Sequence, residues 1–293
     1  MKPISSLLVA SDFSADSQHA MQRAALLCKA AGITRGTALH VVETGLLENL
    51  TRLLHLPCEA ESTLLDDAMH ALEKEIASIF EGSGVQLEPQ VRSGKAVDRI
   101  IEAAAEPEIV LLGAKGRHLI DTNIGSTPGR LIRHSGKPVL VVKTEPVQPY
   151  RKILVAVDFS AHSRRAVEWA ARVAPTAPLY LVHVYQAMFE GKMKYAGVTE
   201  DAINDYRRMA REAAELEMEH FISTLTGVHN SRLHKMIRHG EHPAQTLVRA
   251  IRKTGADLVA VGRQGKSLME HFLLGSVTLN LLELSPCDLL VTQ

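Results

Sequence analysis

The stretch LLVASDFSA at residues 7–15 returns as ILVAVDFSA at residues 153–161. Asp12 and Asp158 stand 146 positions apart, as do Gly94 and Gly240. Further along, the interval widens to 149 for Gly113 and Gly262 and for Gly116 and Gly265, then to 150 for Gly125-Ser126 and Gly275-Ser276. Markers that keep their order with so little drift across half a chain signal a duplication rather than unrelated loops. The division falls in KTEPVQPYR, residues 143–151, where two prolines sit among polar residues between apolar runs. That is a linker composition, so two domains are expected, residues 1–145 and 150–293.

Each half alternates strand and helix patterns. In the second half these run KILVAVDF (152–159), a helical stripe over 163–174, PLYLVHVYQ (178–186), a long amphipathic helix over 200–226, and SRLHKMIRHG (231–240). A helix over 243–255 follows, with Pro at its start and Gly at its end. DLVAVG (257–262), a helix over 277–285 and CDLLVT (287–292) complete the copy. The first half repeats the plan with SLLVAS, TALHVVE, QLEPQVR, EIVLLG and KPVLVV as strands, and its helix-rich segment 46–80 is broken at Pro57. Apolar runs separated by helices imply strands buried on both faces. The fold class is therefore α/β: two tandem doubly wound parallel-sheet domains of Rossmann-like type. In such sheets, ligands sit beyond the carboxyl ends of the strands, where strand order reverses.

After the fourth strand of the second half comes VGRQGKSLMEHFLLGSVTLNLLELS. Gly262 and Gly265 lie three apart, and nine residues then separate Gly265 from Gly275-Ser276. Two closely spaced glycines let backbone amides approach a ligand, and oriented amides form an anion nest. Gly275-Ser276 opens an apolar helix whose first N–H groups and positive dipole end suit phosphate. Arg263 and Lys266 lie near enough in sequence to add charge.

This pattern, with the repeated LVAxDFSA and the PVLVV-like last strand, resembles the ATP-binding signature of universal stress proteins, and the resemblance covers both halves. It implies a tandem member of that family with the adenine nucleotide alpha hydrolase-like fold. By the resemblance, Asp158 lies near the nucleoside, the backbone at Val184 meets the adenine, and Gly262, Gly265, Gly275 and Ser276 hold ribose and phosphates, with Val277 following at the helix start. The ligand implied is ATP or a related adenine nucleotide, with or without Mg²⁺. A carboxylate at a strand's carboxyl end suits ribose hydroxyls independently of the resemblance, although Asp158 could equally cap the next helix. The first half offers a possible second site in Asp12, Val41, Gly113, Gly116, Gly125 and Ser126. It departs by one residue, since only eight separate Gly116 from Gly125, which can move the loop by up to about 3.5 Å. Single-domain relatives look like dimers joined through their last strands, so PVLVV (138–142) and CDLLVT are expected to pair within this chain as an internal pseudo-dimer. Further self-association is left open.

Lys plus Arg equals Asp plus Glu at 33 each, which gives no support to a nucleic-acid partner. The three cysteines, Cys28, Cys58 and Cys287, form no CxxC pair, which fits a reducing cytosol. The first residues lack a secretory apolar run and no stretch reaches a membrane span, so a cytoplasmic protein is expected. AVGRQGKS resembles a P-loop with Ala260 in place of the first glycine, but Gly262 and Gly265 already serve the better match. His229, His234, His239 and His242 could suggest a metal. However, His234 and His239 are an odd number apart in a strand and face opposite ways. Met188, Phe189 and Met193 could line an apolar pocket, with core packing the simpler reading. No catalytic or metal-ligating set stands out. The expected role is nucleotide-binding regulation in a stress response; a slow ATPase and a nucleotide-independent scaffold are the alternatives.

Overall fold

The computed structural model describes residues 2–43, 59–116, 126–186, 193, 195–265 and 274–293. The first half runs β1 (Ser6–Ser11), α1 (Ala15–Ala31), β2 (Arg35–Val42), α2 (Glu59–Phe80), β3 (Gln86–Ser93), α3 (Ala96–Ala103), β4 (Ile109–Gly113), α4 (Ser126–His134) and β5 (Val139–Val142). The second half runs β6 (Ile153–Ala156), α5 (Ala161–Val173), β7 (Leu179–Tyr185), α6 (Glu200–Ser223), β8 (Leu233–His239), α7 (Pro243–Thr254), β9 (Leu258–Gly262), α8 (Ser276–Leu284) and β10 (Asp288–Thr292). The expected helix from 243 begins with Pro243 at its first turn and stops at Gly255, whose φ of 65° closes it in the left-handed region. β6 ends earlier than its apolar run suggests. Phe159 takes a φ of 64° and turns the chain out of the sheet, as Phe13 does at 59°.

All ten strands form one sheet in the order β3-β2-β1-β4-β5-β10-β9-β6-β7-β8. Neighbours within each half are parallel; the junction of β5 with β10 is antiparallel, pairing Leu289 with Val141, Leu290 with Leu140 and Val291 with Val139. The two last strands therefore meet inside one chain, and the halves are related by a pseudo-two-fold axis near Leu140 and Leu290. Strand order reverses between β1 and β4 and again between β6 and β9. The two switch points lie on opposite sides of the junction.

Side chains alternate between the two faces, as the strand period requires. Leu7, Val9, Ile153, Val155 and Leu290 pack with α1, α2, α5 and α6. Leu8, Leu154, Val259, Val141 and Leu289 pack with α3, α4, α7 and α8. Both layers run unbroken through the junction, so the halves share their cores.

A buried charge fastens the same junction. Asp288, at the start of β10, is fully buried, and Arg23 of α1 faces it with Nε 3.3 Å from Oδ2 and only 5% side-chain exposure. That Nε–H is not aligned for a hydrogen bond, so the contact is ionic. The carboxylate is otherwise well served. Tyr150 donates its hydroxyl to Oδ2 at 2.6 Å, and Lys143 N–H and Thr144 N–H donate to Oδ1 at 2.9 and 3.2 Å. Arg23 also lies 3.9 Å over the Tyr150 ring and donates to Gln148 O. The segment read from sequence as a linker is thereby pinned to both halves. Removal of the carboxylate leaves a buried guanidinium uncompensated. Asp288→Ala is expected to lower stability by about 3–5 kcal/mol, read by urea unfolding, with the wild type unfolding in one transition that both halves share.

On the same face, Arg172 of α5 stacks over Trp169 at 4.0 Å and pairs with Glu108 of the first half. Burial alone would raise the Glu108 carboxyl, but hydrogen bonds from Ser5 and Arg172 outweigh it and hold it at about 2, below the ordinary 4.5. A depressed carboxyl stabilises the fold above its unfolded value and loses that contribution as pH falls through the folded one. An acid titration of stability should therefore show a loss between about pH 5 and pH 2 that is smaller in Glu108→Gln.

Candidate functional site

The carboxyl ends of β6 and β9, at the second switch point, open into a cavity of about 290 Å³. This is near the lower end of the roughly 300–1,000 Å³ common for small-ligand sites. Seven of the eight residues expected for the second-half site line it: Asp158, Val184, Gly262, Gly265, Gly275, Ser276 and Val277. They come from four separated stretches of sequence. A wider, open groove of about 840 Å³ lies on the first half along α2, β2 and β3, with Arg35 and Lys74 beside Phe80 and Leu87. It lies away from the glycine turns and from the switch points.

The glycines are required by close approach. A Cβ on Gly262 would stand 2.6 Å from His162 Cβ, and one on Gly265 would stand 2.8 Å from Asp158 Oδ2. Gly275 donates its N–H to Arg263 O at 2.9 Å, which joins the two parts of the split motif. Thr278 then donates its buried hydroxyl to Gly262 O at 2.8 Å, and Arg263 N–H donates to Thr292 O at 2.7 Å. The N-cap of α8 is Gly275, which has no side chain to offer. Ser276 is thus the first helical residue rather than its cap, and the first turn of α8 lines the cavity with no side-chain acceptor from the cap. This is the arrangement that favours an anion.

Asp158 does not cap α5. That role belongs to Ser160, whose Oγ accepts from Ser163 N–H at 3.1 Å. Asp158 Oδ1 accepts from Ser160 N–H at 3.0 Å, while Oδ2 faces Gly265. The turn that aims it depends on Phe159 in a conformation unusual for a bulky residue. His183 holds that conformation: its ring lies 4.3 Å from the Phe159 ring and its Nδ1 is 2.8 Å from Val157 O. The first half builds the same device from Phe13, His40 and Ser11 O, at 4.4 and 2.9 Å.

Arg263 is the exception among the expected residues. Its guanidinium reaches away across the junction to Arg133 O, in the last turn of α4, at 3.3 Å. Its backbone serves the turn through the bonds to Gly275 and Thr292. Gln264, Thr278, Pro243, Leu247, Ser163 and His183 also line the cavity, although the sequence reading did not select them. For Thr278, its place two residues after Ser276 was the available signal.

In the first half, Asp12, Val41, Gly113, Gly116 and Ser126 occupy corresponding places at the first switch point. Asp12 Oδ1 accepts from Ser14 N–H at 3.1 Å, and a Cβ on Gly116 would stand 2.9 Å from Asp12 Oδ2. Gly125, Lys266, Met188 and Phe189 lie outside the described residues. Three of the four histidines weighed as metal ligands have other partners. His234 stacks on Tyr180, His239 packs on Tyr185, and His229 caps a short turn through Ser231. Among the described residues, no group of three or more His, Cys, Asp and Glu is placed to hold a metal ion, and no helix is long and apolar enough to cross a membrane.

Comparison with known proteins agrees with this architecture. A crystal structure of a universal stress protein from Archaeoglobus fulgidus superposes with a TM-score of 0.70 at 20% identity, covering 98% of each chain. One from Pseudomonas aeruginosa gives 0.60 at 19% identity, covering 99% of this chain and 93% of that one. At these identities the likeness concerns the fold. In sequence, a universal stress protein of Staphylococcus aureus is 29% identical over 157 residues, covering 49% of this chain and 84% of the relative. The pattern of the Universal stress protein family matches residues 3–143 and again 149–293. The chain therefore belongs to the universal stress protein family, with two copies of its domain in tandem.

Proposed function

We propose that the second copy binds ATP or a related adenine nucleotide and that the protein acts as a nucleotide-responsive regulator in the cytoplasm, in the manner of a stress-response protein. The observation that carries this reading is the convergence of Asp158, Val184 and the split glycine motif on one cavity at a switch point. In this reading, Asp158 Oδ2 accepts from ribose hydroxyls and the apolar walls at Val184, Val182 and Leu247 receive the base. The amides of the Gly262–Gly265 turn and of the first turn of α8 take the phosphates. The fit is supported by the close approach of the turn to α5 and Asp158, where a Cβ at Gly262 or Gly265 would overlap His162 or the Asp158 carboxylate. A Mg²⁺ ion would arrive with the phosphates and supply charge neutralisation.

Efficient hydrolysis is not part of this proposal. Among the described residues that line the cavity, Asp158 is the one carboxylate, and it is engaged with the Ser160 amide and faces Gly265. Fast phosphoryl transfer calls for a positioned base or water-orienting group and for charge stabilisation of the transferred group. A slow ATPase remains the second reading.

Calorimetric titration with MgATP tests the proposal. Gly265→Val and Gly275→Val should each weaken binding by about a hundredfold or more, since a side chain there displaces either Asp158 or the turn. Unaltered binding in both variants, with native circular dichroism, would reject the site. His183→Leu, which removes the hydrogen bond to Val157 O, should weaken binding by about tenfold. His183→Asn can set an N–H near the position of Nδ1, and it should recover most of that loss.

A further inference from the structure

The two copies differ in chemistry where the glycine turn meets the helix that follows the first strand. In the second half, Gly262 packs against His162 in the first turn of α5. In the first half, the matching contact is between Gly113 and Asp16, where a Cβ would stand 2.6 Å from the Asp16 carbonyl carbon. Asp16 uses this proximity. Its Oδ2 accepts the N–H of Lys115, inside the turn between Gly113 and Gly116, at 2.9 Å. Asp12 Oδ2 lies beside Gly116. The first turn is thus bracketed by two carboxylates, where the second has Asp158 and a histidine.

A backbone amide in such a turn is a partner for an anion, and in the first half a side-chain carboxylate already holds one. A further difference points the same way. Thr278, whose hydroxyl ties α8 to Gly262 O, corresponds to Pro128 in α4, which has no hydroxyl to make that tie. The nucleoside side, by contrast, is kept: Asp12, the Phe13 turn and its His40 support all recur. The charge difference between the copies falls at the glycine turn.

We propose that Asp16 is a resident anion of the first copy's glycine turn and a specificity residue that turns polyphosphate away from the first half. The inference rests on the nucleotide reading of the second half. A fixed negative charge hydrogen-bonded into the turn repels an incoming polyphosphate chain and holds an amide that would otherwise face it, while an uncharged nucleoside meets no such penalty.

The test moves the charge between copies in the full chain and titrates MgATP and adenosine separately by calorimetry, with circular dichroism to check folding. The wild type should bind one ATP per chain. His162→Asp should weaken ATP by about tenfold or more and change adenosine by less than about twofold. Asp16→His should raise the ATP stoichiometry from one towards two per chain. An unchanged ATP-to-adenosine ratio in His162→Asp, or two ATP already bound by the wild type, would overturn the inference. If the wild type binds no ATP, the reading of the second half fails. A gain in Asp16→His would then still support the role of Asp16, and no gain would overturn it as well.

Discussion

The antiparallel pairing of β5 with β10 is the constraint on which the rest depends. Each copy alone would end its sheet on an edge that is buried here, the apolar Val139–Val142 in one case and Asp288–Thr292, with Leu289, Leu290 and Val291 at its centre, in the other. Such an edge exposes unpaired backbone groups and apolar side chains together. Fusing the copies turns two liabilities into one internal ladder, and both hydrophobic layers continue across it. Asp288 stands at the first position of β10 with Arg23, Tyr150, Lys143 and Thr144 around it. A buried carboxylate of this kind adds specificity more than stability: its partners come from both halves and from the segment between them. Burial pushes the Tyr150 hydroxyl well above its ordinary range, so the donor in this set stays protonated.

This architecture also places the candidate sites. In a doubly wound sheet, the crevice forms where successive connections leave to opposite faces. Because the junction joins the outer strands, the two crevices lie at β1/β4 and β6/β9, separated by β5 and β10. They are not isolated from each other. The side chain of Arg263, within the second glycine turn, reaches the final turn of α4 in the first half, and Gln293 donates to Ile132 O and Lys137 O. The second turn is therefore in direct contact with the helix that opens at Ser126.

Much of this was legible in the sequence because it rests on local signals. The duplicated LVAxDFSA, the apolar strand runs, and the Pro243 and Gly255 marks each announce an element without its neighbours. The split glycine motif was legible because close backbone approach demands glycine, and its Gly262, Gly265, Gly275 and Ser276 line one cavity with Asp158 and Val184, which the resemblance added. What escaped depends on distance in space. Nothing near Asp288 says that its counter-charge is Arg23, and nothing near Arg263 says that its guanidinium turns to the other half. Pro243 and Leu247 join the cavity only because α7 packs over β7. The left-handed Phe159 runs against local preference, since a bulky residue avoids that region; His183, on the neighbouring strand, compensates.

The central claim is that the turn Gly262–Gly265 and the start of α8 form the phosphate cradle of a nucleotide site. Amide nitrogen–proton correlation spectra of the full chain, recorded with and without MgATP, address it residue by residue. The account predicts that the largest shifts fall on Gly262, Gly265, Gly275, Ser276 and Val277, with weaker effects at Val184 and little change at Lys115. Shifts confined to the groove near Arg35 and Lys74, or an unaltered spectrum at saturating nucleotide, would contradict it.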